Sequence, residues 1–509
     1  MGVKTDATTM GCGRLARGAT FAVTLALSLM LAACAVGPDY RRPTVQIPAG
    51  FKEGVSWQRA QANPAASISS TWWRMYQDDT LDGLVERALK ANQSIVAAEA
   101  AYRVALATVQ SNTAALFPIV TAGASGTRTG IGGNVTQAAS GTSSLGRTAT
   151  PGVFNSVSAS LSVNWELDLW GGIRRQIESA KTSAQASDAQ LAGVQLSIAA
   201  SVVLNYFALR QADYDIDSLT RQQNIDSKIL EMTRASYREG ASSSNDVLVA
   251  QDVLDAVIAN LQASRIAREQ DEHAIAVLTG VPPAAVDIAS DPAYTFRAPQ
   301  LPLALPSQLL ERRYDVVSAE RLAASANAKI GAAVAAFFPD LTLSTTGGFQ
   351  SNTFARLFSL PSRFWTLGPD VAATIFDAGV RSAAVTSARA SYDEQVATYR
   401  NTVLTAFQSV EDSLSSINHL RTQEQSSADI LHRNQQLFAT VEAQRSIGTS
   451  SEEDLLDQQL TLIEAEQSLR DTQSALAQSD VTLIKNLGGG WSADGTNAAS
   501  TTTSLHVRS

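Results

Sequence analysis

The feature that most constrains this chain is that it is written twice. VAAEAAYRVALATVQSNTAALFP, ending at Pro118, returns as VSAERLAASANAKIGAAVAAFFP, ending at Pro339, with Val96/Val317, Glu99/Glu320 and Phe117/Phe338 in register. LDLWGGIRR returns as TIFDAGVRS, pairing Gly172 with Gly379 and Arg174 with Arg381. YREGASSSNDVLVAQ returns as RSIGTSSEEDLLDQQ, pairing Gly240 with Gly448, Asp246 with Asp454 and Gln251 with Gln459. AVLTG and IKNLG close the copies. The offset stays near 208 residues (448 − 240) over the last three blocks, a register that chance rarely holds. Each copy reads helix, strand, loop, strand, long helix, tight turn, helix.

The strands carry the next constraint. From Val157 to Leu169, apolar Val157, Ala159, Leu161, Val163, Trp165, Leu167 and Leu169 alternate with Ser158, Ser160, Ser162, Asn164, Glu166 and Asp168. A period of two predicts a strand with one greasy and one wet face, longer than the five or six residues usual in a soluble domain. The expected strand pairs are roughly 120–130 with 157–170, and 341–350 with 365–375. The first pair is joined by GIGGNVTQAASGTSSLGRTATPG, a solvent loop by composition. Four strands cannot close a barrel, so a barrel requires copies of the chain to pool them, and three copies would supply twelve. On that reading Trp165, Leu167 and Leu169 face lipid, with Trp165 or Trp170 in an interfacial girdle. Ser162, Asn164, Glu166 and Asp168 face a watery lumen.

Between Gly172 and Glu239 there is no proline and one interior glycine, Gly193. As a helix this segment would run about 100 Å at 1.5 Å per residue. Its apolar residues fall three or four apart with Ala, Ser and Gln between, which suits lateral packing of long helices in a coiled-coil manner. The segment from Val380 to Ile447 has the same character. No run of about twenty apolar residues is expected outside the first forty, so a bilayer would be crossed by strands.

The N-terminus assigns the compartment. Lys4, Arg14 and Arg17 precede FAVTLALSLMLAAC, a secretory signal over 1–33, whose end at Leu31-Ala32-Ala33-Cys34 resembles a bacterial lipobox. Of two cysteines, Cys12 lies in the removed segment, so Cys34 becomes the sole and first residue of the mature cysteine set, available for acylation rather than for a disulfide. Ala35, in place of the Asp that retains lipoproteins at the inner membrane, implies sorting to the outer membrane of a Gram-negative cell.

Chemistry is not legible. The four histidines, His273, His419, His432 and His506, have no metal spacing, and CxxC, GxSxG and Walker patterns are absent. The expectation is no cofactor, no metal and no enzyme. A net charge of −9 argues against a nucleic-acid partner. One acidic turn stands out. Gly448 to Gln459 opens the last helix, and Ser451 to Asp454 reads as a capping box, matched in the first copy by Ser243 to Asp246. Asp457 lies beyond the capping turn, and its counterpart is Val249. Glu453, Asp454 and Asp457 share one helical face, a like-charge arrangement that costs a few tenths of a kcal/mol per pair.

The set CAVGPDYRRP (Cys34 to Pro43), NWELDLWGGIRR (Asn164 to Arg175), RRYDVVSAE (Arg312 to Glu320), FFPDLTL (Phe337 to Leu343) and LGGGW (Leu487 to Trp491) strongly resembles the TolC-like outer-membrane factors, in the lipoprotein branch typified by OprM and NodT. Tyr314 departs from the family's usual Pro in that turn. The resemblance implies a mixed fold: a transmembrane β-barrel of twelve strands from a homotrimer, continuous with a long coiled-coil-like periplasmic α-barrel. It implies a passive exit duct of a tripartite efflux pump, seated in outer-membrane lipid. Its partners would be a periplasmic adaptor (membrane fusion) protein and an inner-membrane transporter of the proton-driven resistance-nodulation-division type. Asp454 and Asp457 match the DxLD pair that lines the closed periplasmic tip, with Glu453 beside them where such members often have Leu, and Leu460 where they often have Arg. The alternatives are a type I protein-secretion duct and a structural periplasmic lipoprotein. The segments so assigned are 34–80 (lipid-anchored, equatorial), 81–118 (helices of repeat 1), 119–171 (first strand pair), 172–280 (first helical hairpin), 281–306 (equatorial linker), 307–338 (helix of repeat 2), 339–378 (second strand pair), 379–487 (second hairpin) and 488–509 (tail).

Overall fold

The computed structural model describes residues 35–48, 50–53, 71–131, 152–297, 299 and 313–489. Cys34, the signal segment, the loop 132–151 and all of the tail after Gly489 lie outside the described residues. Among the described residues, seven α-helices and four strands follow in the duplicated order: α1 (Asp79–Ala91), α2 (Gln93–Ala114), β1 (Ile119–Ile131), β2 (Gly152–Glu166), α3 (Gly172–Arg238), α4 (Ser244–Leu278), α5 (Tyr314–Ala335), β3 (Asp340–Ser351), β4 (Arg363–Ala372), α6 (Val380–Ser446) and α7 (Glu452–Asn486). The chain divides into two compact units, one gathered from residues up to Arg42 with 105–184 and 322–395, the other from 43–104, 185–321 and 396–509.

In the first unit the strands form one antiparallel sheet in the order β1-β2-β3-β4. Each copy contributes a hairpin, and the hairpins join through β2 and β3, from Val157↔Ser351 to Glu166↔Thr342. β1 and β4 are the edges. Two expectations need correction. β2 closes at Glu166, so Leu167, Asp168 and Leu169 lie outside it, and β4 closes at Ala372, short of Ile375. At the first junction the Leu169 amide turns back onto the Leu167 carbonyl (2.8 Å). The Asp168 carboxylate, 9% exposed, accepts from the Ile173 and Arg174 amides (3.0 Å each) and from Arg174 Nε (3.1 Å). The start of a helix exposes unpaired amides, and a carboxylate there satisfies them and suits the dipole. Asp168 is therefore an anchor for α3 rather than a lumen residue. Asp377 does the same for α6, accepting from the Gly379 and Arg381 amides and Arg381 Nε.

The second unit holds the main core. Trp72, Trp73, Tyr76, Leu81 and Leu84 from the start of the chain pack with Val203, Tyr206 and Phe207 of α3, Val403 and Val410 of α6 and Val481 and Ile484 of α7. Farther along α3, Leu219 meets Val257 and Leu261 of α4, and Ile225 meets Leu456 and Ile463 of α7. Thus α3 packs on its own hairpin partner and on a helix of the other copy. α3 and α4 each contain an 18-residue window apolar enough by composition to cross a bilayer, contrary to expectation. In α3 the reason is core packing: Val202, Val203, Phe207 and Leu209 are fully buried, and the same helix carries the buried ion pair of Arg210 and Asp213.

Burial alone would raise the Asp213 carboxyl. The Asp291 amide and the Arg268 and Arg210 guanidinium groups more than offset this and hold it below the ordinary carboxylate range. Arg210 and Arg268 also donate to the Ala289 and Ile288 carbonyls (2.7 and 2.6 Å), so this buried triad pins the segment after α4.

Candidate functional site: helix tips, strand faces and the N-terminal strap

Both long hairpins turn by the same chemistry. Gly240 and Gly448 take φ of +79°, a left-handed backbone that costs a non-glycine residue roughly 1–2 kcal/mol. The amides of Ala241 and Thr449 reach back to the Ser236 and Gln444 carbonyls (2.8 and 2.9 Å), closing Schellman caps. Three residues on, Ser243/Asp246 and Ser451/Asp454 form complete capping boxes. Asp454 is the more fully occupied: its carboxylate accepts from the Ser451 amide (2.9 Å) and the Ser450 hydroxyl (3.1 Å). Hydrogen bonds from Ser451, side chain then backbone, and from Ser450 hold the Asp454 carboxyl below its ordinary value.

Glu453 and Asp457 are exposed on the first turns of α7. Glu452 pairs instead with Arg445 across the turn (2.8 Å). The residue that sequence reasoning missed is Asp226. It sits on α3, 3% exposed, beside the Ile225–Leu456–Ile463 cluster, and its Oδ2 has no hydrogen-bond partner among the described residues. Burial, then the charges of Asp457 and Glu464, push its carboxyl up. Nothing in the sequence relates residue 226 to residue 457; only the packing of α3 on α7 does.

The sheet sorts its residues by face. Glu166, Thr342 and Asp370 are successive register partners on β2, β3 and β4, and Asn164 pairs with Ser344. Ser162 Oγ lies 3.2 Å from Thr346 Oγ1, and Ser125 Oγ lies 2.8 Å from Ser158 Oγ. Asn164 and Glu166 therefore share one hydroxyl-rich face, with Asp370 added to them. On the other face Trp165, Leu161 and Val163 align with Leu343, Gly347 and Thr345, and through them with Pro369, Trp365 and Leu367. The Trp165 indole donates to the Leu116 carbonyl (2.9 Å), and Trp170 donates to Pro339 (2.8 Å) and stacks on Phe338. Both rings bracket the helix end of the sheet.

The residues directly after Cys34 are held there too. The Val36 amide bonds the Trp170 carbonyl (3.0 Å). Arg175, nearly fully buried, donates to the Val36 and Gly37 carbonyls (3.3 and 3.4 Å) and to Asp39 (3.0 Å). Gly37, at φ +103°, lies so close to Gly331 that a Cβ would stand 2.4 Å from its Cα. This N-terminal strap is built into the strand–helix junction.

These features, a two-faced sheet with open edges joined to long capped helical hairpins, are those of a known class. The outer membrane efflux protein profile matches residues 84–281 and 305–489. The chain belongs to the outer membrane efflux protein family. It is 31% identical over 471 residues to the probable efflux pump outer membrane protein TtgC of Pseudomonas putida, covering 91% of this chain and 94% of that one. It is likewise 31% identical over 474 residues to the pyoverdine export outer membrane protein OpmQ of Pseudomonas aeruginosa, covering 92% and 96%. Among solved structures, the outer-membrane channel OprN superposes with a TM-score of 0.76 at 28% identity, over 90% of this chain and 100% of that chain. The family is made up of channel proteins, and the function of this chain is that of an outer-membrane efflux channel.

Proposed function

We propose that three copies of the chain pool their sheets into one twelve-stranded barrel in the outer membrane, continuous with a periplasmic barrel of the long helices. The assembly is the passive exit duct of a tripartite pump, receiving cargo through a periplasmic adaptor from an inner-membrane transporter of the resistance-nodulation-division type. The observation that carries this reading is the sheet: four strands, one hydroxyl-rich face, one apolar face, and edges β1 and β4 unpaired among the described residues. A two-faced sheet with open edges is an aggregation hazard in water and is at rest when closed in lipid. Glu166 and Asp370 then line the inner mouth of the lumen, and Trp365, Leu367 and Val371 face acyl chains.

Cys34 carries the acyl anchor, and the strap held by Arg175 fixes that anchor where strand passes into helix. Asp457, Glu453 and Asp454 line the periplasmic gate, with Asp454 shared between gate and cap. The cargo contacts available on the polar face are hydroxyls and acids, so selectivity rests with the inner-membrane partner. Planar-bilayer recording on the purified, detergent-stable protein tests the reading. Discrete conductance steps from a trimeric species are expected; a trimer that never conducts overturns it.

A further inference from the structure

The strand register carries a consequence for two arginines. Arg363 opens β4 on the face of Trp365, Leu367 and Val371. That face passes through Phe349 and Thr345 of β3 to Ala159 and Val163 of β2, and on to Ala124 and Val120 of β1. Arg128 belongs to the same face of β1, since it stands an even number of residues from Val120 and pairs with Asn155. Both arginines thus lie on the apolar side, at the end of the sheet that bears the loops rather than the helices. Both are exposed, and neither forms an ion pair among the described residues.

The charge pattern around them is one-sided. Residues 119–165 and 341–369 hold Arg128, Arg147, Arg356 and Arg363 and not one Asp or Glu, in a chain of net charge −9. The strand acids Glu166, Asp340 and Asp370 all stand at the helix end. No carboxylate is therefore at hand to neutralise the two arginines. Arg128 is eight residues from Val120, and Arg363 is eight from Val371. Eight residues at ~3.3 Å each, on strands tilted by ~40°, rise about 20 Å, close to the height of an outer-membrane apolar band. The cost of an arginine on the lipid face falls steeply from the midplane to the interface. Two unpaired guanidinium groups at that level, with Trp365 next inward of Arg363, match the fork geometry and ring-at-headgroup arrangement that phosphate-bearing lipid requires.

We propose that Arg128 and Arg363 form a binding surface for the phosphate groups of outer-leaflet glycolipid. The proposal rests on the barrel reading, which makes this face lipid-exposed. Its test uses the full-length trimer, delipidated in detergent and presented with bis-phosphorylated lipid A or the same lipid with both phosphates removed, retention being read by native mass spectrometry. The parent protein is expected to retain the phosphorylated form about tenfold better. Arg128→Gln with Arg363→Gln is expected to erase that preference, whereas Arg389→Gln with Arg433→Gln, which removes two exposed helix charges, is expected to keep it. Should the strand double variant fail to assemble, each single variant is expected to lower the preference about threefold. Equal retention of the two lipids by the parent, or an unchanged preference in the strand variants, overturns the site. Conductance of the same preparations separates the two readings: normal channels without lipid preference overturn the phosphate surface alone, while a parent trimer without conductance overturns the duct and the surface together.

Discussion

Asp480 shows what a single buried group does to this protein. It lies on α7 with no exposure, both carboxylate oxygens lack hydrogen-bond partners among the described residues, and so does the Tyr76 hydroxyl nearby. Burial raises its pKa to about 7, with the Arg421 charge pulling the other way. A carboxyl raised in the folded state binds its proton more tightly there than in the unfolded chain. Stability therefore falls as pH rises from about 4 to about 7 and then levels, by an amount on the order of a few kcal/mol. Asp480→Asn is expected to remove that slope, so thermal melting should show a gain for the variant at pH 8 and little difference at pH 4. At the tip the acids divide their work. Asp454→Ala is expected to lower thermal stability by removing the N3 half of the capping box. Asp457→Ala is expected to change conductance and cation block more than Asp454→Ala, and to leave the Asp226 carboxyl still raised by burial but less so, since one of the two neighbouring charges is gone. Val249→Ala, at the matched position of the first copy, is the control. Single-channel records identical in parent and Asp454→Ala/Asp457→Ala trimers would reduce both residues to helix-start roles. Cys34→Ser is expected to abolish palmitate labelling; a signal that persists without Cys34 sinks the anchor.

Among the elements, one point where α3 packs on α5 turns on a single glycine. A Cβ on Gly193 would stand 2.2–2.8 Å from ring atoms of Tyr314. Tyr314 is also the first residue of α5, the helical position where proline loses nothing because its amide would be unpaired anyway. The departure from the family's proline thus leaves the helix start intact and adds a ring that needs Gly193 beneath it. Gly193→Ala alone is expected to destabilise by about 1–3 kcal/mol through overpacking. Combined with Tyr314→Pro, the same substitution is expected to cost well under that, and a denaturation double-mutant cycle reads the coupling; additive effects would show that the ring and the glycine are independent. Gly448→Ala makes a useful contrast. Nothing lies within 4 Å of its Cβ, so its expected cost is the left-handed backbone alone, about 1–2 kcal/mol.

For the whole molecule, the sheet edges decide the state of association. β1 can be completed only by another strand, and β4 likewise, so the chain is expected to purify as a trimer that withstands mild detergent. Light scattering and crosslinking check this, and a folded monomer as the only species at every concentration would refute it. Leu367→Pro, mid-strand on the β4 edge, is expected to block assembly while leaving the helical unit folded, as read by helical circular dichroism. Leu367 pairs with Thr345, whose own amide is turned toward β2, so a proline at Leu367 removes an amide on the open side of β4 that closure needs.

The duplication, the strand pairs, the long helices and their glycine turns were all legible in the sequence, because each rests on a local periodicity or on a residue whose backbone freedom is required at one spot. Ser451 with Asp454, and Gly240 with Gly448, could be placed by spacing alone, since a capping box and a left-handed turn are built within six residues. The faces of Asn164 and Glu166 followed from alternation. What sequence could not decide was anything set by contact between distant segments. Asp168 continues the alternation of β2 and would have been a lumen residue had the amides opening α3 not claimed its carboxylate. Asp226 looks like any polar helix residue until α7 covers it and sets Asp457 and Glu464 against it. The apolar-face placement of Arg128 and Arg363 exists only through a register that runs across four strands. Periodicity is a property of neighbours along the chain, whereas burial, charge coupling and register belong to neighbours in space, and tertiary structure alone supplies those.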